Sequence, residues 1–408
     1  MKLPFQLAMI IIFVFSFVRG LSANGDKKSS FITSELEYSN TSAAQRNNIL
    51  LKGMSYSMSV DVLEVVQFKD SDKYFDCSSY YDKRYLLNIG YPKLDIDGKK
   101  GKFRIFISKI LKSVIPDKIA MLKLNLLDID LSCYDYIISS SDPKGIHIAT
   151  VKWLKNIPNR KAKYIQYWGD PWFSDVSRTT TFLTKFFENK LLSYSDYIIY
   201  NSIKTLSSQR NLFGDCSNKM YFLPRGVDLT NFKSQERTIS DLSEVRMLYA
   251  GDFNPNYRNL NFLVRVCSEL GIHLDIYGDG EINKHIEIAD NISINPRVSL
   301  NYLNDIVPNY THQIVVLNSK GNQVPGKIYD LLTCKQNVIL ILDGEINIQD
   351  IPCNERFIIS ENNYDSLKLI LKKESLNLNY PSISINSLSQ LSINTLVYDF
   401  FNRLSKDD

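Results

Sequence analysis

Cysteine is scarce: six copies in 408 residues, at 77, 133, 216, 267, 334 and 353. No two have the close spacing of a zinc or redox motif, and six in so long a chain make no disulfide framework. They read as small apolar residues kept reduced in a reducing compartment. A large excess of one charge is also missing, since 48 basic residues face 44 acidic ones for a net +4. Long apolar runs are reduced to one, residues 7–18, too short to span a bilayer as an ordinary transmembrane helix. Tandem repeats and low-complexity blocks are absent. What is present, 44% hydrophobic and 23% charged residues, is globular composition and excludes a disordered chain, a collagen-like fibre or a polytopic membrane protein. At roughly 100–200 residues per domain, the length asks for two or three domains.

The one apolar run has two readings. Leu7 to Val18, with Lys2 in front, has the outline of a secretory signal peptide over residues 1–23. Met9 to Val18 also reads as a buried parallel strand ending at Arg19-Gly20, with Asp26-Lys27-Lys28 in the loop after it. The pattern downstream favours the strand, because it needs a first one. Short apolar strands at Val60–Val66, Tyr134–Ser139, Lys163–Tyr167, Asp196–Tyr200 and Tyr221–Leu223 alternate with helical stretches at Thr41–Met54, His147–Leu154 and Phe182–Leu192. Residues 233–244 are polar and charged, which suits a linker. The alternation then restarts: strands at Val245–Ala250, His273–Tyr277, Ile292–Ile294, Gln313–Leu317 and Val338–Leu342, and helices at Asn259–Leu270 and Pro325–Thr333. Such alternation means parallel α/β layers. We expect one unit over residues 1–232, a second over 233–380, and an amphipathic tail over 381–408 whose apolar residues, Leu388 to Leu404, follow one helical period.

Four segments carry chemistry. Pro224-Arg225-Gly226-Val227-Asp228 stands at the junction of the two units. Tyr249-Ala250-Gly251-Asp252-Phe253 ends a strand and is followed by Arg258 near a helix start, an arrangement that suits an anion. Tyr277-Gly278-Asp279-Gly280-Glu281 also ends a strand, but lacks the third glycine of a dinucleotide fingerprint. Asn322 to Asp330 (NQVPGKIYD) opens a helix with Lys327 in its first turn, where a cation is electrostatically out of place unless an anion binds nearby.

In this order, the segments resemble the GT-B glycosyltransferases of the retaining family-four type, densely over 195–345 and thinly over 1–190. PRGVDLTNF (224–232) resembles that family's hinge, AGDF…YRNL (250–260) its glycine loop with a downstream basic residue, YGDGE (277–281) its second glycine turn, and NQVPGKIYDLLTCKQNVI (322–339) its nucleotide-sugar motif. Asn322 and Asp330 stand where many members carry two glutamates, and Asp252 where a basic residue is frequent. The resemblance implies two Rossmann-like parallel-sheet domains facing a cleft, with a C-terminal helix crossing back. It implies donor binding by Gly251, Gly278, Gly280, Arg258, Lys327 and Asp330, with Asp330 on the ribose. It implies no metal and no other cofactor. Arg258 and Lys327 would stabilise the departing diphosphate. The triplets Asp70-Ser71-Asp72, Asp95-Ile96-Asp97 and Asp128-Ile129-Asp130 lie in the other half and read as solvated loop acids.

The first unit should then bind a glycan or lipid-linked acceptor. Asp170 between Trp168 and Trp172 suggests a carboxylate that orients or deprotonates an acceptor hydroxyl, flanked by an aromatic platform for sugar. Ser139 to Lys144 and His147 are expected on the same cleft. Residues 99–123 carry a local +7, with Phe103, Phe106, Ile107, Ile110, Leu111 and Val114 at helical spacing. A basic amphipathic helix of this kind reads as a membrane-surface element, placing the protein in the cytoplasm at the inner face of the membrane. No nucleic-acid module accompanies it. Two other readings fit the same residues: a nucleotide-sugar epimerase of the same fold, and a non-catalytic glycan-binding protein.

Overall fold

The computed structural model of the protein describes residues 27–39, 41–66, 73–89, 115–124, 127, 129–175, 178, 180–229, 245–320, 324–374 and 385–407. Among these, one sheet holds seven strands: β1 (Lys28–Thr33), β2 (Ser59–Val66), β3 (Lys83–Asn88), β4 (Tyr136–Ser140), β5 (Lys163–Trp168), β6 (Tyr197–Tyr200) and β7 (Met220–Phe222). Their order is β3-β2-β1-β4-β5-β6-β7, all parallel. The helices beside it are α1 (Ser42–Ser55), α2 (Gly145–Leu154), α3 (Phe182–Ser193) and α4 (Ile203–Leu212). The second sheet holds β8 (Arg246–Ala250), β9 (His273–Tyr277), β10 (Ile292–Asn295), β11 (His312–Val316), β12 (Asn337–Leu342) and β13 (Ile358–Glu361), in the parallel order β10-β9-β8-β11-β12-β13. Its helices are α5 (Asn261–Leu270), α6 (Leu300–Ile306), α7 (Gly326–Leu331) and α8 (Tyr364–Glu374); α9 (Ile385–Ser389) and α10 (Ile393–Asp407) end the described chain.

Parallel strands covered on both faces need apolar side chains on both, so they read as short continuous runs rather than alternations. Neighbouring residues of the first sheet divide accordingly. Ile32, Leu63, Ile137 and Ile198 face the core under α2, α3 and α4, while Phe31, Val62, Ile138 and Ile199 face the core under α1 and α10. Thr41 starts α1 by accepting the Ala44 amide on its hydroxyl at 3.1 Å. Gly271, at φ 66°, closes α5 in the left-handed region where a side chain would be strained.

Three expectations change. The strand between β2 and β4 is Lys28–Thr33, part of which the sequence reading had assigned to a loop; the segment 9–18 lies outside the described residues, as do 99–114 of the basic segment and the linker 233–244. KSSFIT has only two large apolar residues, and its serines are buried because they sit at the sheet centre, where bulk is not needed. The tail is not one helix. It breaks at 390–392, where the Val227 amide donates to Leu391 O at 2.8 Å and the Ile393 amide donates to Val227 O at 3.0 Å. This hook ties the chain end to the segment joining the two sheets. From it α10 runs back over the first sheet, seating Ile393, Val397, Phe400, Phe401 and Leu404 among Phe31, Leu50, Leu51 and Met54. Finally, β3, β13, α4, α6 and α8 are present without having been expected.

Candidate functional site

An open parallel sheet offers a crevice outside the carboxyl ends of its strands, at the place where strand order reverses. In the first sheet that place lies between β1 and β4, and in the second between β8 and β11. The expected site residues fall at these two places.

On the second sheet, the loops after β8 and β9 are zipped together. The Gly251 amide donates to Tyr277 O at 2.8 Å, and the Phe253 amide donates to Asp279 O at 3.2 Å. A Cβ on Gly278 would lie 2.0 Å from Gly251 O, and one on Gly280 2.0 Å from Phe253 O, so only glycine permits the approach. Arg258 lies across the reversal: its Nε and Nη2 donate to Asn318 Oδ1 at 3.0 and 2.6 Å, and its Nη1 donates to Asp252 O at 3.2 Å. Lys327, in the first turn of α7, donates to Ala250 O at 2.7 Å. Burial pushes its ammonium down to about 8, with Arg258 adding to the effect and Asp330 opposing it. Asp330 accepts from Arg225 Nη2 at 2.8 Å and still keeps 42% of its side chain open.

On the first sheet, Asp170 follows β5. Burial and then the neighbouring Asp142 charge push it up to about 6, against Lys144 and Arg46. Burial raises the pKa of Tyr257 in the second sheet's loop, Arg258 opposes that rise, and the charges of Asp170 and Asp175 add to it. Tyr257 OH accepts from Asn318 Nδ2 at 2.8 Å, which joins the tyrosine to the Arg258 cluster. So Arg258, Lys327, Gly251 and Asp330 gather on one wall, Gly278 and Gly280 brace that wall, and Asp170 looks at it from the other.

Two acceptor-side expectations are corrected. Trp168 and Trp172, 0% and 2% exposed, are core residues and offer no platform to a sugar. Trp168 packs against His147 with ring centroids 4.3 Å apart and planes tilted by 39°. His147 does not line the cleft either; it is fully buried, lies 2.6 Å from Ser139 Oγ through Nδ1, and burial pushes its pKa to about 3, so it stays neutral. Trp168 ends β5 with its ring turned into the core, and Trp172 is held in the loop beyond by its amide bond to Glu188. Asp130 is a local cap, accepting the Ser132 amide at 2.9 Å.

Five side chains outside the expected catalytic and donor set also stand at the site. Asn318 bridges Tyr257 and Arg258, Arg225 holds Asp330, and Arg297 pairs with Asp252, bringing a cation to the loop that lacks one in sequence. Arg46 and Lys144 are the buried cations of the first wall. Their sequence signal is only position just past a strand end, or, for Arg46, a charge on an otherwise buried helix face.

No protein-family model and no curated protein matches the chain. Solved structures do match. A glycosyltransferase from Rickettsia africae is 14% identical with a TM-score of 0.54, over 93% of this chain and 98% of that one. HepE of Anabaena, solved with UDP and glucose, is 10% identical with a TM-score of 0.58, over 93% and 99%. A TarM mutant of S. aureus, solved with fondaparinux, alpha-GlcNAc-glycerol and UDP, is 9% identical with a TM-score of 0.57, over 92% and 99%. At these identities the likeness concerns the fold, and the fold is GT-B: two Rossmann-like parallel-sheet domains with a C-terminal helix packed back on the first.

Proposed function

We propose that the protein is a glycosyltransferase that moves a sugar from a nucleotide-sugar donor to a glycan or lipid-linked acceptor. The observation that carries this reading is the cluster at the reversal of the second sheet, where Arg258 and Lys327 stand over the two interlocked glycine loops. The donor diphosphate lies against those two cations and the backbone N–H of Asp252, just after Gly251. Negative charge grows on the departing phosphate in the transition state, and cations already in place stabilise it without reorganising. The open oxygen of Asp330 takes the ribose diol, and Asp170 meets the acceptor hydroxyl. HepE and TarM, each solved with UDP, support a nucleotide donor. Transfer proceeds with retention, by front-face attack or a short-lived ion pair, and needs no metal. In this reading the product is cell-surface polysaccharide or a lipid-linked glycan. The enzyme works in the cytoplasm, at the inner face of the membrane, where residues 99–123 supply a basic surface. Among the described residues no helix is long and apolar enough to cross a membrane.

A thermal-shift screen against UDP-, GDP-, ADP- and CMP-sugars tests the donor. One class should raise the melting temperature, and Arg258→Ala and Lys327→Ala should each weaken its binding by about 10- to 100-fold, the loss of a charge-assisted contact. No shift with any of the four classes favours the non-catalytic reading. Binding and transfer that survive both substitutions remove these residues from the site.

A further inference from the structure

The segment from Pro224 to Asp228 joins the two sheets, and its backbone is anchored in the first domain on both sides. The Leu223 amide donates to Tyr200 O at 3.0 Å, and Asp228 accepts from Lys52 of α1 at 2.6 Å. The side chain of Arg225 nevertheless crosses to the second domain. It is 4% exposed, a costly place for a guanidinium unless a partner and a fitted space are provided. One face of α7 provides both. Gly326 and Asp330 stand four residues apart, so they lie one above the other along the helix. A Cβ on Gly326 would meet Arg225 Nη1 at 2.3 Å and Cζ at 3.2 Å, so the absent side chain leaves the slot that the guanidinium fills. Beyond that slot, Arg225 Nη2 donates to Asp330 Oδ1 at 2.8 Å. Asp330 Oδ2 accepts no hydrogen bond among the described residues, and the side chain stays open to solvent. One oxygen of this carboxylate is tied down and the other is presented.

We propose that Arg225 is a positioning residue for the donor's ribose: it holds Asp330 in one orientation, so that Oδ2 accepts from the ribose diol. The ion pair also offsets a carboxylate charge that would otherwise repel the donor diphosphate. Selection of ribose over deoxyribose in the second domain is therefore set by a residue of the segment between the domains. This inference rests on the glycosyltransferase reading for the presence of a nucleotide; the role of Arg225 within it is tested separately.

The test is calorimetry of the full-length protein with UDP, GDP, ADP and CMP, each beside its 2′-deoxy and 3′-deoxy forms. For the nucleotide that binds, loss of a hydroxyl should weaken binding by about 10- to 100-fold, the loss of a hydrogen bond to a charged group. That factor should disappear in Asp330→Ala and in Arg225→Ala. In Lys327→Ala the ribo and deoxy forms should weaken together and keep the factor. Arg225→Lys, which retains a cation without the planar fork, should restore part of it. Gly326→Ala serves if Arg225→Ala does not fold, because its methyl displaces the guanidinium from the slot and should erase the factor with Arg225 still in place. A factor that survives Arg225→Ala or Gly326→Ala but is lost in Asp330→Ala overturns the role of Arg225 and leaves the donor reading standing. A factor that survives Asp330→Ala, or no binding by any of the four nucleotides, overturns the ribose assignment itself, and the role of Arg225 with it.

Discussion

At Lys327 an ammonium group is held in a partly buried wall by one carbonyl, with Arg258 close by. Burial lowers its pKa to about 8. A bound diphosphate favours the charged form and raises that value. Nucleotide binding therefore takes up a proton once the pH exceeds 8, and affinity falls as pH rises from there toward the pKa of the complex. Calorimetry with UDP, or whichever nucleotide shifts the melt, between pH 7 and 9.5 should show this decline, with a flat profile in Lys327→Ala. A decline of equal size in the variant would assign the dependence to another group. Lys327 was visible in sequence because a lysine in a first helical turn is electrostatically misplaced. Asn318 was not, because an asparagine after a strand is ordinary until its partners, Tyr257 and Arg258, come from sixty residues away. The tryptophans misled for a related reason. Composition shows an aromatic beside an aspartate, but the packing of the loop after β5 decides which of them sees solvent.

Among the elements, α3 does more than cover the first sheet. Its Glu188 is fully buried and accepts the amides of Trp172 and Phe173 at 3.0 and 2.6 Å, fixing the loop that carries Asp170. Burial pushes this carboxyl up to about 7 despite both bonds. Its folded pKa thus exceeds its unfolded one, so its contribution to stability is fully present below about pH 4.5 and is lost as pH rises through 7. Glu188→Ala leaves two buried N–H groups unpaired, at about 1–3 kcal/mol each. Thermal melts at pH 6 should show that loss, accompanied by faster amide exchange over residues 169–173. A melt unchanged from the unmodified protein would show that the loop is held by other means. Elements with continuous apolar runs, such as β4, β11 and β12, were legible to within about two residues. Those missed were edge or charged segments: β3 begins Lys83-Arg84 and buries none of its six residues fully, so neither periodicity nor hydrophobicity marks it.

The whole molecule is closed by its chain end. The segment from Pro224 to Asp228 leaves the first sheet, Gly226 turns at φ 74°, and a Cβ there would meet the Ile393 side chain at 2.9 Å. Asp228 pairs with Lys52 of α1 at 2.6 Å, and Arg225 reaches Asp330 in the other domain, so one short segment touches the first domain, the second and the tail. On the far side Lys204 of α4 pairs with Asp350 beyond β12 at 2.7 Å. The C-terminal helix, although it follows the second domain in sequence, is energetically part of the first. Phe400 is fully buried in the first domain's core, with its ring 5.4 Å from Phe401 and 6.1 Å from Tyr221. Phe400→Ala should cost about 3–5 kcal/mol. Hydrogen exchange locates the loss: amides of α1, β1 and β4 should exchange faster, while those of β8, β11 and β12 keep their protection. If the second sheet loosens equally, the two domains unfold as one cooperative unit and the tail is shared between them. If only the first loosens, the tail belongs to the wall that carries Asp142 and Asp170, and changes at the chain end will reach acceptor binding before they reach the donor.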